Sequence, residues 1–266
     1  MFNWTLYRRE MKSSWKMLAI FGGIMTMYIS IIITMYDPEL QDTLNDLVVM
    51  MPGLMDAMGF NAQAAGLIGF LSSYLYGFIL IAFPMVFSIL CGNKLIARYV
   101  DRGSMVSLLS APVKRRTVAF TQMKVIATGI FALILFATIL IITLCEINFP
   151  GELEISKLIL MNVGLLCLHL FISGICFFSS CLFSDTKYSI GFGAGIPALM
   201  FILQMLGNVG GNAEKAKYFT FFTLFKPEGL VAGNGDAFVG ILVLFAGAFV
   251  LFAGAIAVFS KKDLHI

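Results

Sequence analysis

The sequence predicts an all-α integral membrane protein with six transmembrane helices, and three observations lead to this fold class. Of the 266 residues, 59% are hydrophobic and only 12% are charged, whereas about 25% of residues are charged in soluble domains. Six apolar runs each reach the roughly 20 residues that a helix needs to cross a bilayer. The basic residues are concentrated in alternate loops between these runs, as in chains that span a membrane. We therefore expect one transmembrane domain over residues 1–266 and no soluble domain.

The six predicted spans alternate with loops of unequal length. The third and fourth runs are long enough to tilt in the bilayer or to project from it. The first run follows four basic residues in the manner of a signal sequence, but it lacks a small-residue cleavage site, so we expect it to remain as a span. The predicted spans are approximately residues 17–36, 67–90, 119–145, 157–183, 188–208 and 237–259.

Lys and Arg are distributed unevenly between the two sets of loops, which predicts the side of the membrane that each set occupies. Fourteen of the 18 basic residues fall in one set. Basic loops are retained in the cytoplasm, so both termini are predicted to be cytoplasmic. The other set holds Lys157, Lys215, Lys217 and Lys226, and its loop 37–66 has acidic residues but no Lys or Arg. The fourteen are Arg8, Arg9, Lys12, Lys16, Lys94, Arg98, Arg102, Lys114, Arg115, Arg116, Lys124, Lys187, Lys261 and Lys262.

Residues 1–16 are predicted to form an interfacial helix ahead of the first span. On a helical wheel, Trp4, Tyr7, Met11 and Trp15 share one stripe, and basic residues flank it. Aromatic rings favour headgroup depth and basic groups favour anionic lipid, so such a helix lies in the membrane plane. The alternative is a simple cytoplasmic anchor, in which the basic residues only fix the orientation of the first span.

The only substantial cytoplasmic loop, residues 99–116, reads YVDRGSMVSLLSAPVKRR. Gly103 frees the backbone, Ser104 is suited to cap a helix, and Pro112 ends that helix by excluding the preceding residue from helical conformation. The apolar residues between Ser104 and Pro112 give a helix of about 10 Å with one apolar face. It is either a rigid handle by which a partner tilts two spans, or a loop that only covers the span ends in the headgroups.

An apolar external segment, residues 209–236, contains KYFTFFTLFKPEGLVAG. It is too apolar for a solvated loop and too short to cross the bilayer. We therefore predict a re-entrant or interfacial pair of helices, broken at Lys226 and Pro227, that precedes the last span.

Glycines and the apolar setting of cysteine and histidine indicate packing rather than chemistry. Gly191 and Gly195 form a G-x-x-x-G pattern for close helix approach, and glycines repeat every seven residues at 240, 247 and 254, the period of a left-handed seam. The five cysteines lie in or beside apolar runs without a C-x-x-C pair, so we expect small buried side chains. His169, inside the fourth span, is predicted to be packed or hydrogen-bonded.

A substrate path is suggested by aromatic, Met and amide side chains in the second and fifth spans. Surfaces of this kind adapt to amphipathic ligands. The alternative for each residue is packing within the bundle or contact with lipid. The candidates are Tyr74, Phe78, Phe201, Gln204 and Met205.

Several functions are disfavoured by motifs that the sequence lacks. It has no Gly-rich loop ending in Gly-Lys-Ser/Thr, so any ATP-driven action needs a separate ATPase chain. It shows no nucleophile–base pair and no metal-ligand pattern, and its histidines, His169 and His265, are far apart. No Asp or Glu lies at the middle of a predicted span, which argues against a proton-coupled carrier. We expect no enzymatic activity, metal or cofactor in this chain itself.

The loop 99–116 carries a pattern that resembles the membrane subunits of type-2 ABC exporters. That family has an Asp/Glu-Arg-Gly start, a Leu-Leu-Ser core and a Pro followed by a base. This chain has Asp101-Arg102-Gly103, then Leu108-Leu109-Ser110, then Pro112-Val113-Lys114. Pro227 and Lys262-Asp263-Leu264 also match the family's external segment and its C-terminal end. In size and in its short loops the chain is similar to the peptide-exporter permeases of Gram-positive bacteria, such as those for phenol-soluble modulins.

The resemblance implies a permease in the bacterial plasma membrane that exports amphipathic peptides, drugs or lipid-like molecules. Its partners would be a cytoplasmic ATPase dimer that binds ATP and Mg²⁺, a second permease copy or a related chain, and membrane lipids, with no nucleic acid. The alternative is a membrane scaffold or sensor subunit that transports nothing. The residues that the resemblance assigns to coupling with the ATPase are Asp101, Arg102, Gly103, Ser104, Leu108, Leu109 and Pro112.

Overall fold

The computed structural model describes residues 2–36, 49–60, 66–101, 103 and 113–262, and their regular structure is entirely helical. Two short α-helices, two 3₁₀-helices (Gly211–Phe219 and Phe221–Leu224) and six long helices are present in these ranges. The short helices are α2 (Pro52–Ala57) and α7 (Pro227–Val231). The long helices are α1 (Trp4–Thr34), α3 (Gly66–Asp101), α4 (Arg115–Asn148), α5 (Ile155–Leu182), α6 (Thr186–Asn208) and α8 (Gly235–Lys261).

The six long helices are all apolar and long enough to cross a membrane, which confirms the six predicted spans. Each covers nearly all of one predicted span, and most extend further at one or both ends. Helix α1 extends furthest beyond its predicted span, and α3 and α4, with 36 and 34 residues, come next. A helix does not end where its apolar run ends, because its backbone hydrogen bonds continue into polar sequence.

The N-terminal segment is not a separate helix. Helix α1 runs unbroken from Trp4 to Thr34, and the Asn3 side chain caps it by accepting a hydrogen bond from the Leu6 backbone N–H. No Pro or Gly occurs between residues 4 and 21 to break the helix near the predicted boundary at residue 16. The 31 residues are about 46 Å long, against a hydrocarbon core of about 30 Å. Placement of residues 4–16 in the headgroups stays a prediction.

Contacts between distant residues show that successive long helices alternate in direction. The backbone N–H of Asn3 bonds to Thr121, and Lys94 bonds to Ser13, so the start of α1 lies beside the end of α3 and the start of α4. We call this end, with residues 2–16, 94–101, 113–124, 181–187 and 260–262, the basic end. At the opposite end, Tyr36 packs edge-on against Phe149 at 5.1 Å between ring centroids.

Helix α5 supplies polar side chains where the backbone hydrogen bonding of α3 is interrupted. Pro84 has no N–H for the carbonyl of Leu80, four residues earlier, and His169 Nε2 bonds to that oxygen at 2.8 Å. Near the break at Ile96, the Ser180 hydroxyl accepts from the Ala97 N–H at 2.8 Å. Between them, the hydroxyls of Ser88 and Ser173 lie 3.0 Å apart. The prediction of a hydrogen-bonded His169 is confirmed.

The predicted seven-residue glycine seam of α8 is confirmed as a packing surface. An added Cβ at residue 240 would collide with the Leu224 carbonyl. At Gly247 it would lie 2.6 Å from the Phe171 ring, and at Gly254 3.3 Å from the Phe178 ring. Both rings belong to α5, so glycine allows α8 to approach α5 closely. All five cysteines are buried and free, as expected.

The G-x-x-x-G pattern of α6 makes no close approach to any other described part of the chain. No described atom lies within 4 Å of an added Cβ at Gly191 or Gly195. Gly193, between them, packs against the backbone of Cys176 and the side chain of Ser179 in α5. Helix α6 thus approaches α5 with the face that carries Gly193, and the two glycines of the pattern lie on the uncovered side.

Candidate functional site

Two regions of the molecule combine polar chemistry with defined geometry: the ends of loop 99–116 and a cavity at the opposite end. Of the seven residues assigned to coupling, only two are described. Asp101 is exposed and accepts a hydrogen bond from the Thr186 hydroxyl at 2.9 Å. Gly103 has a φ of 68°, a conformation that favours glycine. Outside the described residues lie Arg102, Ser104, Leu108, Leu109 and Pro112.

The N-terminal side of the loop is bound to a buried carboxylate. Glu10 of α1 is 1% exposed, and its Oε1 accepts a hydrogen bond from the Tyr99 hydroxyl at 2.6 Å. One turn away, Lys94 donates to the backbone oxygen and hydroxyl of Ser13 at 3.0 and 2.8 Å. The end of α3 is therefore fixed to α1 by two polar contacts, and Asp101 fixes it to the start of α6.

The C-terminal side of the loop is bound through the end of α8. Arg115 Nη1 donates to the backbone oxygen of Lys262 at 2.7 Å. The Lys262 ammonium group donates in turn to the last carbonyls of α5, those of Cys181 and Leu182, at 3.3 and 2.9 Å. A cation at a helix C-terminus is favourable, but burial lowers the pKa of the Lys262 amino group, so desolvation offsets part of that gain.

Glu10 and Tyr99 were not among the residues predicted from the sequence. Glu10 is the only acidic residue among residues 1–36, where it follows two arginines. That isolation is the one signal in the sequence that could have identified it. Lys and Glu are rarely fully buried unless they are paired, and the pairing with Tyr99 depends on how α1 packs against α3.

The cavity at the opposite end has a volume of about 560 Å³. It lies where a π-helical turn of α3 (Leu75–Ile79), the last turn of α6 and the segment 217–234 meet. Gly77 in that turn permits close packing, since an added Cβ would lie 2.6 Å from the Met58 carbonyl oxygen. Such π turns are rare in proteins, and those that occur are often found at functional sites. The polar and charged residues that line the cavity include Ser72, Tyr76, Gln204, Asn208, Lys217, Lys226, Glu228 and Asn234.

Only one of the five predicted path residues, Gln204, lines this cavity. Phe201 lies beside it and packs against Phe78 and against Phe222 of the cavity wall, at 5.6 and 5.4 Å between ring centroids. Tyr74 is buried elsewhere, with its ring 4.7 Å from that of Phe60 and 4.5 Å from that of Phe70.

Met205 is partly buried against the hydrophobic core. The five residues therefore do not form one surface within the chain.

The segment 209–236, which is predicted to be external, is divided between packing and exposure. Phe222, Phe225 and Leu230 are buried, whereas Tyr218 and Phe219 are 87% and 72% exposed. The chain ends one 3₁₀-helix at Leu224 and begins α7 at Pro227, so a break falls at the predicted position. The re-entrant or interfacial placement of this segment in the membrane stays a prediction.

Chemistry at either region rests on hydrogen bonding and charge. Among the described residues, no group of three or more His, Cys, Asp or Glu side chains is placed to hold a metal ion. The basic end offers a network of bonds that fixes helix ends, and the cavity offers ammonium, hydroxyl and amide groups to a ligand. No family model, no curated protein and no solved structure matches this chain.

Proposed function

We propose that this chain is the membrane-spanning subunit of an ATP-driven ABC exporter, energised by a separate cytoplasmic ATPase that binds loop 99–116. The observation that supports this function best is the bonding on both sides of the loop. Tyr99 and Asp101 near its start, and Arg115 near its end, all hydrogen-bond to other parts of the bundle. A displacement of the loop would therefore move more than the two helices that it joins.

The hydrogen bonds define how such a displacement would spread. Helices α3 and α4 are joined to the loop covalently. Tyr99 connects it to α1 through Glu10, and Asp101 connects it to α6 through Thr186. Arg115 connects it to the end of α8 through Lys262, which bonds the end of α5. All six spans are within one or two hydrogen bonds of the loop, as a rigid coupling device requires.

Transport would follow from two states of a permease pair. Two copies, or this chain and a relative, would enclose a path, and the closure of two ATPase subunits on ATP and Mg²⁺ would favour the outward-open state. Ligand and nucleotide shift such an equilibrium only by their difference in affinity for the two states. The basic end would face the cytoplasm, as its Lys and Arg residues predict.

An amphipathic peptide, drug or lipid-like molecule is the substrate class that the chain favours. Large apolar side chains dominate the uncovered surface of α6, with Phe192, Leu199, Ile202 and Leu206 all exposed. No Asp, Glu, Lys or Arg occurs between residues 188 and 213. A path built from such surface would accept apolar groups and would bind highly charged solutes poorly.

The test is the double variant Leu108→Ala/Leu109→Ala. Burying one leucine against a partner is worth about 1.5–3 kcal/mol, so loss of both should weaken ATPase binding or uncouple ATP hydrolysis from export. Insertion in the membrane should be unchanged, because neither residue lies in a predicted span. The measurements are co-purification of a cytoplasmic ABC ATPase with this chain and stimulation of ATP hydrolysis by amphipathic peptides.

A matched control is the double variant Met51→Ala/Leu54→Ala, which removes two exposed apolar side chains at the opposite end. It should bind and stimulate the ATPase like the parent chain. Equal ATPase binding and equal stimulation in both double variants would contradict the proposed coupling. A parent chain that co-purifies with a partner but supports no substrate-stimulated hydrolysis would instead indicate the scaffold or sensor.

A further inference from the structure

The cavity at the opposite end has the size and the wall of a ligand site. Its volume of about 560 Å³ falls within the roughly 300–1,000 Å³ of small-molecule pockets. Four separate parts of the chain contribute to it: the connection at Gly59, helix α3, helix α6 and the segment 217–234. It shares no residue with loop 99–116, so it is distinct from the proposed coupling region.

Three polar side-chain atoms at the cavity wall are buried without a partner among the described residues: the hydroxyls of Ser72 and Tyr76 and the Oε1 atom of Gln204. Ser72 is 2% exposed, and its hydroxyl finds no hydrogen-bond partner among the described residues. Gln204 donates through Nε2 to Asn208, but its Oε1 is buried and unpaired within the same part of the chain. Buried polar groups are nearly always hydrogen-bonded, to protein or to another species. These atoms therefore indicate an occupant that both accepts and donates hydrogen bonds.

The charges of the wall favour an anionic occupant. Lys217 and Lys226 line the cavity, and neither forms an ion pair with a described carboxylate. The one ion pair among the described residues joins Lys157 and Glu154. Among the described residues, Glu228 is the only acidic one in the lining, so this part of the wall carries one excess positive charge. Lys217 is half-buried and Lys226 is exposed. Ammonium groups at a concave surface bind phosphate and carboxylate through charge-assisted hydrogen bonds.

The rest of the wall is apolar. Ile81, Phe222 and Phe225 line the cavity and are buried in the bundle. A small, strongly hydrated anion would gain nothing from these side chains, whereas an ion attached to hydrocarbon would bury apolar surface there. The lining therefore matches a molecule with a charged group and an apolar group.

We propose that this cavity binds a phosphate group that carries a neighbouring hydroxyl, of the glycerol-phosphate class found in anionic lipid head groups. Lys217 and Lys226 hold the anionic oxygens, and the Ser72 hydroxyl donates to one of them. A hydroxyl of the ligand donates to Gln204 Oε1. The apolar wall favours a lipid as the source over soluble glycerol phosphate. This inference does not rest on the proposed export function, because binding needs no ATPase.

The test measures lipid binding to the purified full chain in neutral detergent by native mass spectrometry. Phosphatidylglycerol should bind at least tenfold more tightly than phosphatidylcholine, which has a compensating positive charge and no free hydroxyl. The double variant Lys217→Gln/Lys226→Gln should lose about tenfold in affinity for phosphatidylglycerol, as expected for the loss of charge-assisted bonds. The variant Lys217→Arg/Lys226→Arg should retain most of it.

The matched control is Lys157→Gln/Lys215→Gln, which removes two lysines at the same end that do not line the cavity. It should leave the affinity for phosphatidylglycerol unchanged. Ser72→Ala should weaken binding several-fold, and thermal unfolding of each variant checks that the fold is retained. Equal binding of the two lipids, or equal losses in the two glutamine variants, would overturn the proposal.

Soluble glycerol 3-phosphate separates the two sources of the ligand. If it binds as tightly as the lipid and loses the same factor in Lys217→Gln/Lys226→Gln, the site is one for a soluble anion of the proposed class. If only the lipid binds, the head group is the ligand. Binding of neither compound would overturn the proposal.

Discussion

The basic end and the opposite end of the bundle are held together by different interactions. At the basic end, long polar side chains join helix ends that are far apart in sequence: Tyr99 to Glu10, Arg115 to Lys262, and Lys94 to Ser13. The opposite end has aromatic contacts between distant segments, as between Tyr36 and Phe149, and a cavity interrupts the packing there.

The difference indicates two mechanical roles within one bundle. Hydrogen bonds between specific atoms fix the relative positions of helix ends, because they weaken steeply when distance or angle changes. Aromatic contacts tolerate several geometries with little loss of energy. The basic end is therefore suited to transmit a displacement, and the opposite end is suited to accommodate one.

The largest expected effect is a difference in thiol labelling between the two ends, which are predicted to face opposite sides of the membrane. Cysteine introduced at Lys215 should react with an impermeant thiol reagent in intact cells, whereas cysteine introduced at Lys114 should react only after permeabilisation. Both positions are exposed, and the five native cysteines are buried, so background labelling is low. Labelling of both positions in intact cells, or the reverse order, would contradict the assigned orientation.

The packing of the opposite end can be broken at the glycine seam. Gly240→Ala places a methyl group against the Leu224 carbonyl, which is backbone and cannot rotate away. Overpacking of this kind costs about 3 kcal/mol, so the thermal unfolding temperature in detergent should fall markedly. Gly23→Ala in α1 is the control, since no described atom lies within 4 Å of its added Cβ. A fall of equal size in both variants would show that the close contact is not responsible.

The specific bonding of the basic end can be weakened at Tyr99. Tyr99→Phe removes the hydroxyl that donates to the buried Glu10 carboxylate, and an unsatisfied buried acceptor costs about 1–3 kcal/mol. Chemical unfolding in mixed micelles should show this loss, with the exposed Tyr188→Phe as the control. Glu10→Gln should cost less than Glu10→Leu, because the amide oxygen still accepts from Tyr99. The opposite order would argue against the hydrogen bond as the stabilising contact.

The smallest effect is expected at Lys262. Lys262→Met removes the ammonium group that bonds the last carbonyls of α5. Partial exposure and the desolvation that lowers its pKa limit the loss to about 0.5–1 kcal/mol. The same unfolding assay should detect it against Lys261→Met, an exposed neighbour at the end of α8. A larger loss for Lys261→Met would contradict the capping role.

Features with a local signal in the sequence were predicted correctly. The spans follow from runs of apolar residues, and the glycine seam follows from a seven-residue period that is visible without any partner helix. Burial of the cysteines and the bonded state of His169 follow from their apolar neighbours. Each of these properties is decided by residues within about two helical turns, so the sequence carries it directly.

Features that depend on the packing of distant segments were not predicted. The unbroken course of α1 through residue 16 was missed because aromatic and basic patterning was given more weight than the lack of a helix breaker. The burial of Glu10 depends on Tyr99, which lies 89 residues away. The cavity depends on a π turn in α3, and no residue type in LYGFI marks such a turn. Gln204 was named as a path residue, but Ser72 and the two lysines beside it in space were not.

The bond between His169 and the Leu80 carbonyl makes two distant positions depend on each other. A chain with alanine in place of Pro84 would give that carbonyl an N–H from its own helix, and the imidazole would then be dispensable. A chain that kept Pro84 but replaced His169 by leucine would leave a bare carbonyl oxygen in an apolar interior. Substitutions at the two positions are therefore non-additive, and in sequences descended from a common ancestor they should change together. Covariation of positions 84 and 169 would reflect the need to supply a hydrogen bond to the Leu80 carbonyl oxygen.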